Sequence, residues 1–345
     1  MLETGIQTRS AALPAGGVDL YEAFVAAVDA TQCTKATYER HIRSWRRYIE
    51  SRGITETEAT RQTVLDYRAA LVGEGKTAAT VNNYLTTVRR FYAYLEAVRI
   101  CPNVAATVKG VRRNRKSPKD ALTREQAAAL LSRPAESLEG LRNAAIIELM
   151  LRRGLRTIEV CRADIGDIRQ VAGQAVLWVQ GKGFNDKGDF VILNAPCLKS
   201  INAYLEARGC SDLSAPLFAG IGNRNQGGRL TTGTVSRICK TAMKEAGISS
   251  PRLTAHSLRH TAVTFALIGG ATVQEAQALA RHSSIETTLI YAHNLDRLQA
   301  GAEHSIDRYL ADARIQGEYA LSRGDMNKRI QTESHPNTNR IGANR

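Results

Sequence analysis

Between residues 256 and 291 the chain gathers side chains that could do phosphate chemistry: His256-Ser257-Leu258-Arg259-His260, then His282-Ser283-Ser284, then Tyr291. His256 and Arg259 are three residues apart, so on a helix they share one face. A guanidinium fork matches two phosphate oxygens, imidazoles can move protons, and a tyrosine hydroxyl can attack and form a covalent link. The set suits an oxyanion. Each part alone is ordinary: a His-x-x-Arg pair on a helix is usually a surface pair, and a lone tyrosine near a helix end usually packs. Only the ordered set carries a meaning.

The elements around it position these residues. Thr254 predicts a cap before the first helix, and Gly269-Gly270 predicts its stop. Thr272 with Glu275, and Ser283 with Glu286, fit capping boxes that start two more short helices, with Tyr291 near the end of the last. Upstream, an apolar helix over about 140–152 breaks at Gly154, and Arg156 stands where the next helix begins. From there it can reach a cleft, or simply cap the helix and pair with a nearby acid. The β-type runs 175–180 and 189–193 flank Gly181-Lys182-Gly183 and predict a hairpin with Lys182 at the turn. That Gly-Lys-Gly lacks the spacing and the Ser/Thr of a nucleotide phosphate loop, so Lys182 is either a free-swinging cation or a solvated turn lysine.

The totals point to the partner. The chain has 345 residues, enough for two domains, and a net charge of +14 with a pI near 9.7. That balance suits a polyanion, nucleic acid first. An anionic membrane is the weaker alternative, because no Lys-rich amphipathic helix with a bulky apolar face is visible. The six cysteines form no CxxC pair, so they read as reduced, mostly buried thiols of an intracellular protein, with no zinc signature. No signal peptide and no membrane span is evident, which predicts a cytoplasmic protein.

Residues 1–16 read as a disordered leader. Helices follow over about 18–29, from Thr34 with a stripe Tyr38, Ile42, Trp45 and Ile49, over 60–72, and over 77–98 with a stripe Val81, Leu85, Val88, Tyr92 and Leu95. Residues 17–108 therefore read as a small all-helical domain. Its arginine-rich outer faces, with neighbouring polar residues, supply candidate DNA contacts: Arg43, Arg47, Lys76, Asn82, Asn83, Arg89 and Arg90. Residues 109–120 form a basic interdomain linker carrying Arg112, Arg113, Arg115 and Lys116, suited to a DNA backbone. Residues 121–312 form the second domain, opened by a Thr123/Gln126 capping box and closed by a helix near 296–312. Residues 313–345 read as a polar tail, partly disordered.

The ordered set is now Arg156, Lys182, His256, Arg259, His282 and Tyr291. With Gly154-Leu155-Arg156-x-x-Glu159-Val160, Gly181-Lys182-Gly183, His256-x-Leu258-Arg259-His260-Thr261, and His282-Ser283-Ser284 nine residues before Tyr291, the chain resembles the tyrosine recombinases, the phage-integrase and Xer-like family, over about residues 17–312. The resemblance implies a mainly α fold: an N-terminal helical core-binding, SAM-like domain, and a mainly helical catalytic domain with a small antiparallel β-sheet, together a C-shaped clamp on DNA. It implies strand exchange between paired sites on double-stranded DNA by a homotetramer, through a 3′-phosphotyrosyl link and a Holliday junction, for integration and excision of a mobile element or resolution of DNA multimers. Accessory proteins are a further class of partner. Tyr291 would be the nucleophile, Arg156 and Arg259 the charge on the non-bridging oxygens, His256 a proton acceptor, His282 a further donor, and Lys182 the acid for the 5′-oxygen. His260 would be structural. No cofactor and no metal is implied. A topoisomerase-type relaxing enzyme shares this set, and a catalytically dead DNA-binding regulator is the other alternative. One departure stands out: where the family often has Leu-Gly-His, this chain has Ala280-Arg281-His282, with Arg281 able to add a phosphate contact or to alter the turn.

Overall fold

The computed structural model of the chain describes residues 19–112, 120–181, 186–223, 225–300 and 305–311. The chain divides into two compact units, with the break after Pro118.

The first unit is four helices: α1 (Leu20–Ala27), α2 (Gln32–Glu50), α3 (Arg61–Gly73) and α4 (Ala78–Ala97). Side-chain oxygens cap three of them. Asp19 accepts from the Tyr21 N–H at 2.8 Å, Thr60 from Thr63 at 3.3 Å and Thr77 from Thr80 at 3.2 Å, each satisfying an N–H that the helix itself leaves unpaired. The two periodic stripes face one another. Ile42, Trp45 and Ile49 of α2 and Val81, Leu85, Val88, Tyr92 and Leu95 of α4 are all buried, and Phe91 joins them. Trp45 meets the rings of Tyr67 and Tyr92 edge-on, at 5.1 and 6.0 Å. Truncating a side chain of this size in a closed core costs about 3–5 kcal/mol. His41, off the stripe, is also buried, its Nδ1 3.0 Å from the Thr87 hydroxyl.

The second unit is built on α6 (Leu138–Arg153), which packs against α5 (Arg124–Leu131), α8 (Ala195–Arg208), α9 (Thr232–Glu245) and α10 (Ala255–Ile268). Between α7 (Thr157–Arg162) and α8 lies an antiparallel sheet in the order β1 (Ile168–Val171), β2 (Gln174–Val179), β3 (Asp189–Ile192). Strands β2 and β3 are the expected hairpin, in register Trp178↔Phe190. Strand β1, mostly exposed, was not legible as a strand. The fold is mainly helical with a small antiparallel sheet, as the sequence implied.

At the C-terminal side, α11 (Val273–Ala280) is followed by α12 (Ile285–Ala300). Three expectations change here. Helix α12 is capped from Ser284, whose hydroxyl accepts from the Glu286 N–H at 3.2 Å, rather than from Ser283. It also runs unbroken past the tyrosine, so Tyr291 lies in mid-helix rather than near the end of a short one. The helix expected over 296–312 is in part the end of α12, and residues 305–311 are also helical. All six cysteines are free thiols; Cys161, Cys197 and Cys239 are buried, Cys101 and Cys210 half-buried, and Cys33 exposed. Among the described residues, no helix is long and apolar enough to cross a membrane.

Candidate active site

The site begins at a glycine. Gly154 ends α6 in the left-handed region, φ 61° and ψ 30°, a conformation that costs any residue with a Cβ. This turn places Arg156 at the N-cap of the six-residue α7. The carboxylate of Glu159, 0% exposed, takes the Arg156 backbone N–H at 2.7 Å and its Nη1 at 2.7 Å. Arg156 is thus both a capping residue paired with an acid, the plain reading of its sequence, and a guanidinium on the wall of a cleft. That cleft is lined also by Gly181, Asp189, Arg281, His282 and Ser283.

Helix α10 supplies Arg259, one turn in from Thr254, whose N–H donates to the Ser257 hydroxyl at 3.1 Å. Arg259 is 2% exposed. Its two terminal nitrogens donate to the carbonyls of Gly154 and Ala280, tying the ends of α6 and α11 together. Burial, with the Arg156 and Arg281 charges beside it, lowers its pKa to about 9. That is still well above neutral pH, so the guanidinium keeps its charge. His256, at the start of the same helix, is exposed on its surface.

Helix α11 starts at the expected box, Thr272 N–H to Glu275 at 2.8 Å and Glu275 N–H to Thr272 at 3.2 Å. It ends at Arg281 in the left-handed region, φ 50° and ψ 49°. A non-glycine residue there costs roughly 1–2 kcal/mol. The turn is therefore kept without the glycine, and the Arg281 side chain, 5% exposed, folds onto Glu159 at 2.7 Å. Burial pushes the Glu159 pKa up, but Arg281 and then Arg156 outweigh that and hold it below the usual carboxylate range.

His282 follows directly. Its Nδ1 lies 3.0 Å from the hydroxyl of Thr288, itself fully buried on α12. Burial and the positive charges of Arg259, Arg156 and Arg281 lower its pKa to about 4, so the ring is neutral at pH 7. The Tyr291 ring lies against His260, centroids 4.5 Å apart, and 6.2 Å from His282. Burial raises the tyrosine pKa, opposed by Arg259.

The structure therefore brings together Arg156, Arg259, His282 and Tyr291, with His256 on the same helix as Arg259. Lys182, Arg113, Arg115 and Lys116 lie outside the described residues. In the first unit Arg43, Arg47, Asn83 and Arg90 are exposed, as is Arg112. Arg43 pairs with Glu39, and Lys76 with Glu74 at 2.6 Å. Asn82 and Arg89 differ: both are turned onto the backbone of residues 108–111. Sequence reasoning missed Arg281 and Thr288 as partners. Glu159 was visible as the acid of Arg156-x-x-Glu159, but nothing local marked Thr288.

The family profile described as "Phage integrase family" matches residues 120–297, and that described as "Phage integrase, N-terminal SAM-like domain" matches residues 18–98. The chain is 31% identical to tyrosine recombinase XerC of Pelobacter propionicus over 77% of this chain and 86% of that one. It is 33% identical to tyrosine recombinase XerD of Bifidobacterium longum, over 75% and 86%. Its fold is similar to that of the XerH site-specific recombinase bound to palindromic difH substrate in a post-cleavage complex, with a TM-score of 0.67, 20% identity, and coverage of 82% and 84%. It is likewise similar to a lambda integrase tetramer bound to a Holliday junction, at a TM-score of 0.60, 20% identity, and coverage of 79% and 74%.

Proposed function

This chain belongs to the phage integrase family and is a tyrosine-type site-specific DNA recombinase, and from that premise we propose that Tyr291 attacks the scissile phosphate to form a 3′-phosphotyrosyl link and release a 5′-hydroxyl. The observation that carries this reading is the placing of the Tyr291 ring beside neutral His282, in the field of the buried Arg259. The P–O bond to tyrosine forms as the P–O bond to the 5′-oxygen breaks, so the phosphodiester energy is conserved and rejoining needs no nucleotide.

Arg156 and Arg259 hold charge against the non-bridging oxygens as the pentacoordinate state forms. Their positions are fixed beforehand by Gly154, Ala280 and Glu159, so little reorganisation accompanies the reaction. A tyrosine with a raised pKa needs a base, and His256 is our candidate for accepting its proton. His282, held through Nδ1 by Thr288 and uncharged, presents Nε2 as a hydrogen-bonding group to the phosphate. Lys182 protonates the leaving 5′-oxygen.

We assign residues 17–108 and 121–312 as two DNA-holding domains joined by the basic linker 109–120. Four copies act on paired duplex sites, by analogy with the lambda integrase tetramer on its junction, in the cytoplasm and with accessory proteins setting direction. The test maps covalent protein–DNA junctions on total DNA of the source organism. Wild type should trap one defined sequence, and Tyr291→Phe should bind that duplex with near-normal affinity yet form no covalent complex. A Phe variant that still traps DNA on a denaturing gel would sink the assignment.

A further inference from the structure

Two guanidinium groups meet one carboxylate at the base of the cleft. Glu159 accepts from Arg156 Nη1 at 2.7 Å and from Arg281 Nη2 at 2.7 Å. Arg281 holds Arg156 a second time through its backbone, because the Arg281 carbonyl accepts from Arg156 Nη2 at 2.9 Å. Arg281 Nη1 donates to the Leu279 carbonyl at 2.8 Å, and the same Arg281 Nη2 that meets Glu159 also donates to the Gly154 carbonyl at 3.2 Å. So Arg281 is a buried, fully engaged cation in a left-handed backbone conformation, at a place where its side chain could otherwise have turned to solvent.

Without Arg281, Glu159 would be a fully buried carboxylate with Arg156 as its one ionic partner. A buried charge with one partner draws that partner in strongly. Arg156 would then be neutralised from behind, and its pull on a phosphate reduced. A second cation on Glu159 changes the sum: the cluster of Arg156, Glu159 and Arg281 keeps a net positive charge, and Arg156 is the member on the cleft wall.

We propose that Arg281 is a charge-compensating and positioning residue of this strand-transfer site: its guanidinium neutralises Glu159, so that Arg156 keeps its positive charge for the scissile phosphate, and its carbonyl fixes how Arg156 points. This rests on the assignment of Arg156 and Tyr291 above. Arg281 itself does not touch the substrate.

The experiment uses the full chain and the duplex that wild type captures in the junction mapping, nicked so that the short cleaved piece diffuses away and the covalent complex accumulates. Its rate of formation at saturating DNA, and the DNA concentration for half-saturation, are measured for wild type, Arg281→Met, Glu159→Gln and the double variant. Arg281→Met should slow covalent-complex formation roughly 10- to 100-fold, with half-saturation changed by less than about threefold, the mark of an effect on the reacting state. Adding Glu159→Gln should bring the rate back to within about fivefold of wild type, because the uncompensated charge is gone. Arg281→Gly, which accepts the left-handed turn without strain, should behave as Arg281→Met does and serves as the reading if the Met variant does not melt cooperatively. Arg281 variants that cleave like wild type overturn the proposal. So do slow variants that Glu159→Gln leaves slow, since Arg281 would then act by packing or by direct contact. A wild-type protein that forms no covalent complex would instead fail the Tyr291 assignment, before any variant is read.

Discussion

Both hydrogen-bonding groups of the Asn82 side chain are taken up by one residue, Val111: Nδ2 donates to its carbonyl at 2.9 Å, and Oδ1 accepts from its N–H at 2.7 Å. Arg89 adds two bonds to the Val108 carbonyl, at 3.1 and 2.6 Å, and Arg68 one to that of Lys109 at 2.8 Å. The chain leaving α4 is thus stapled back onto α3 and α4. A Cβ at Gly110 would lie 2.5 Å from Asn82 Oδ1, so a side chain there would have to displace that of Asn82.

Asn82→Ala should therefore lower the stability of the protein by about 1–3 kcal/mol, as a half-buried backbone pair loses its partners. Denaturant midpoints measure this. Asn83→Ala, exposed on the same helix, should leave the midpoint within about 0.5 kcal/mol and weaken DNA binding instead. An Asn82→Ala protein that unfolds like wild type and loses only DNA affinity would make Asn82 a DNA contact.

The two lysines of the hairpin should separate in a leaving-group experiment. Lys187 Nζ lies 2.6 Å from Asp164 and 2.5 Å from Asp167. Burial works against its charge, but these two carboxylates outweigh that and raise its pKa, which makes it a poor proton donor. An alkoxide leaving group needs a proton, a help worth about 10²–10⁴-fold. A thiolate does not, with a thiol pKa of about 8.5. Lys182→Ala should cleave ordinary DNA slowly and DNA with a 5′-bridging sulfur at close to the wild-type rate. Arg259→Ala should stay impaired on both. Sulfur rescue of Lys187→Ala in place of Lys182→Ala would move the acid to Lys187.

His282 should make stability fall with acid. Its folded pKa, about 4, is below the ordinary imidazole value of about 6.5. The unfolded state therefore binds the extra proton first, and folding loses stability as pH drops through the window between 6.5 and 4. The melting temperature of wild type should decline more across that window than that of His282→Gln. Parallel declines would mean that the imidazole is not held neutral.

The stretch 305–311 leaves Ile306, Tyr309 and Leu310 at 57%, 76% and 60% exposure. We expect cover from a neighbouring subunit on DNA. Deletion from residue 296 onward should weaken cooperative assembly on paired sites more than binding to a single site, as read by gel shift over protein concentration. Equal losses would favour packing on its own domain.

The sequence by itself determined what is set by near neighbours. Periodicity marked the stripe of Ile42, Trp45 and Ile49 and that of α4, capping pairs such as Thr123–Gln126 and Thr272–Glu275 marked helix starts, and the short motifs from Arg156 to Tyr291 carried the resemblance that implied the chemistry. Only the tertiary structure decided what depends on residues far apart in the chain. Arg281 looked like a cation available to a phosphate, until a partner 122 residues away took it into the interior. Asn82 and Arg89 looked like outward polar residues of α4, until residues 108–111 returned to meet them. Thr288 became the support of His282 only because α11 and α12 pack together. A side chain's type limits which bonds it can make; burial and long-range pairing choose among them, since a buried polar group must find a partner wherever the chain brings one.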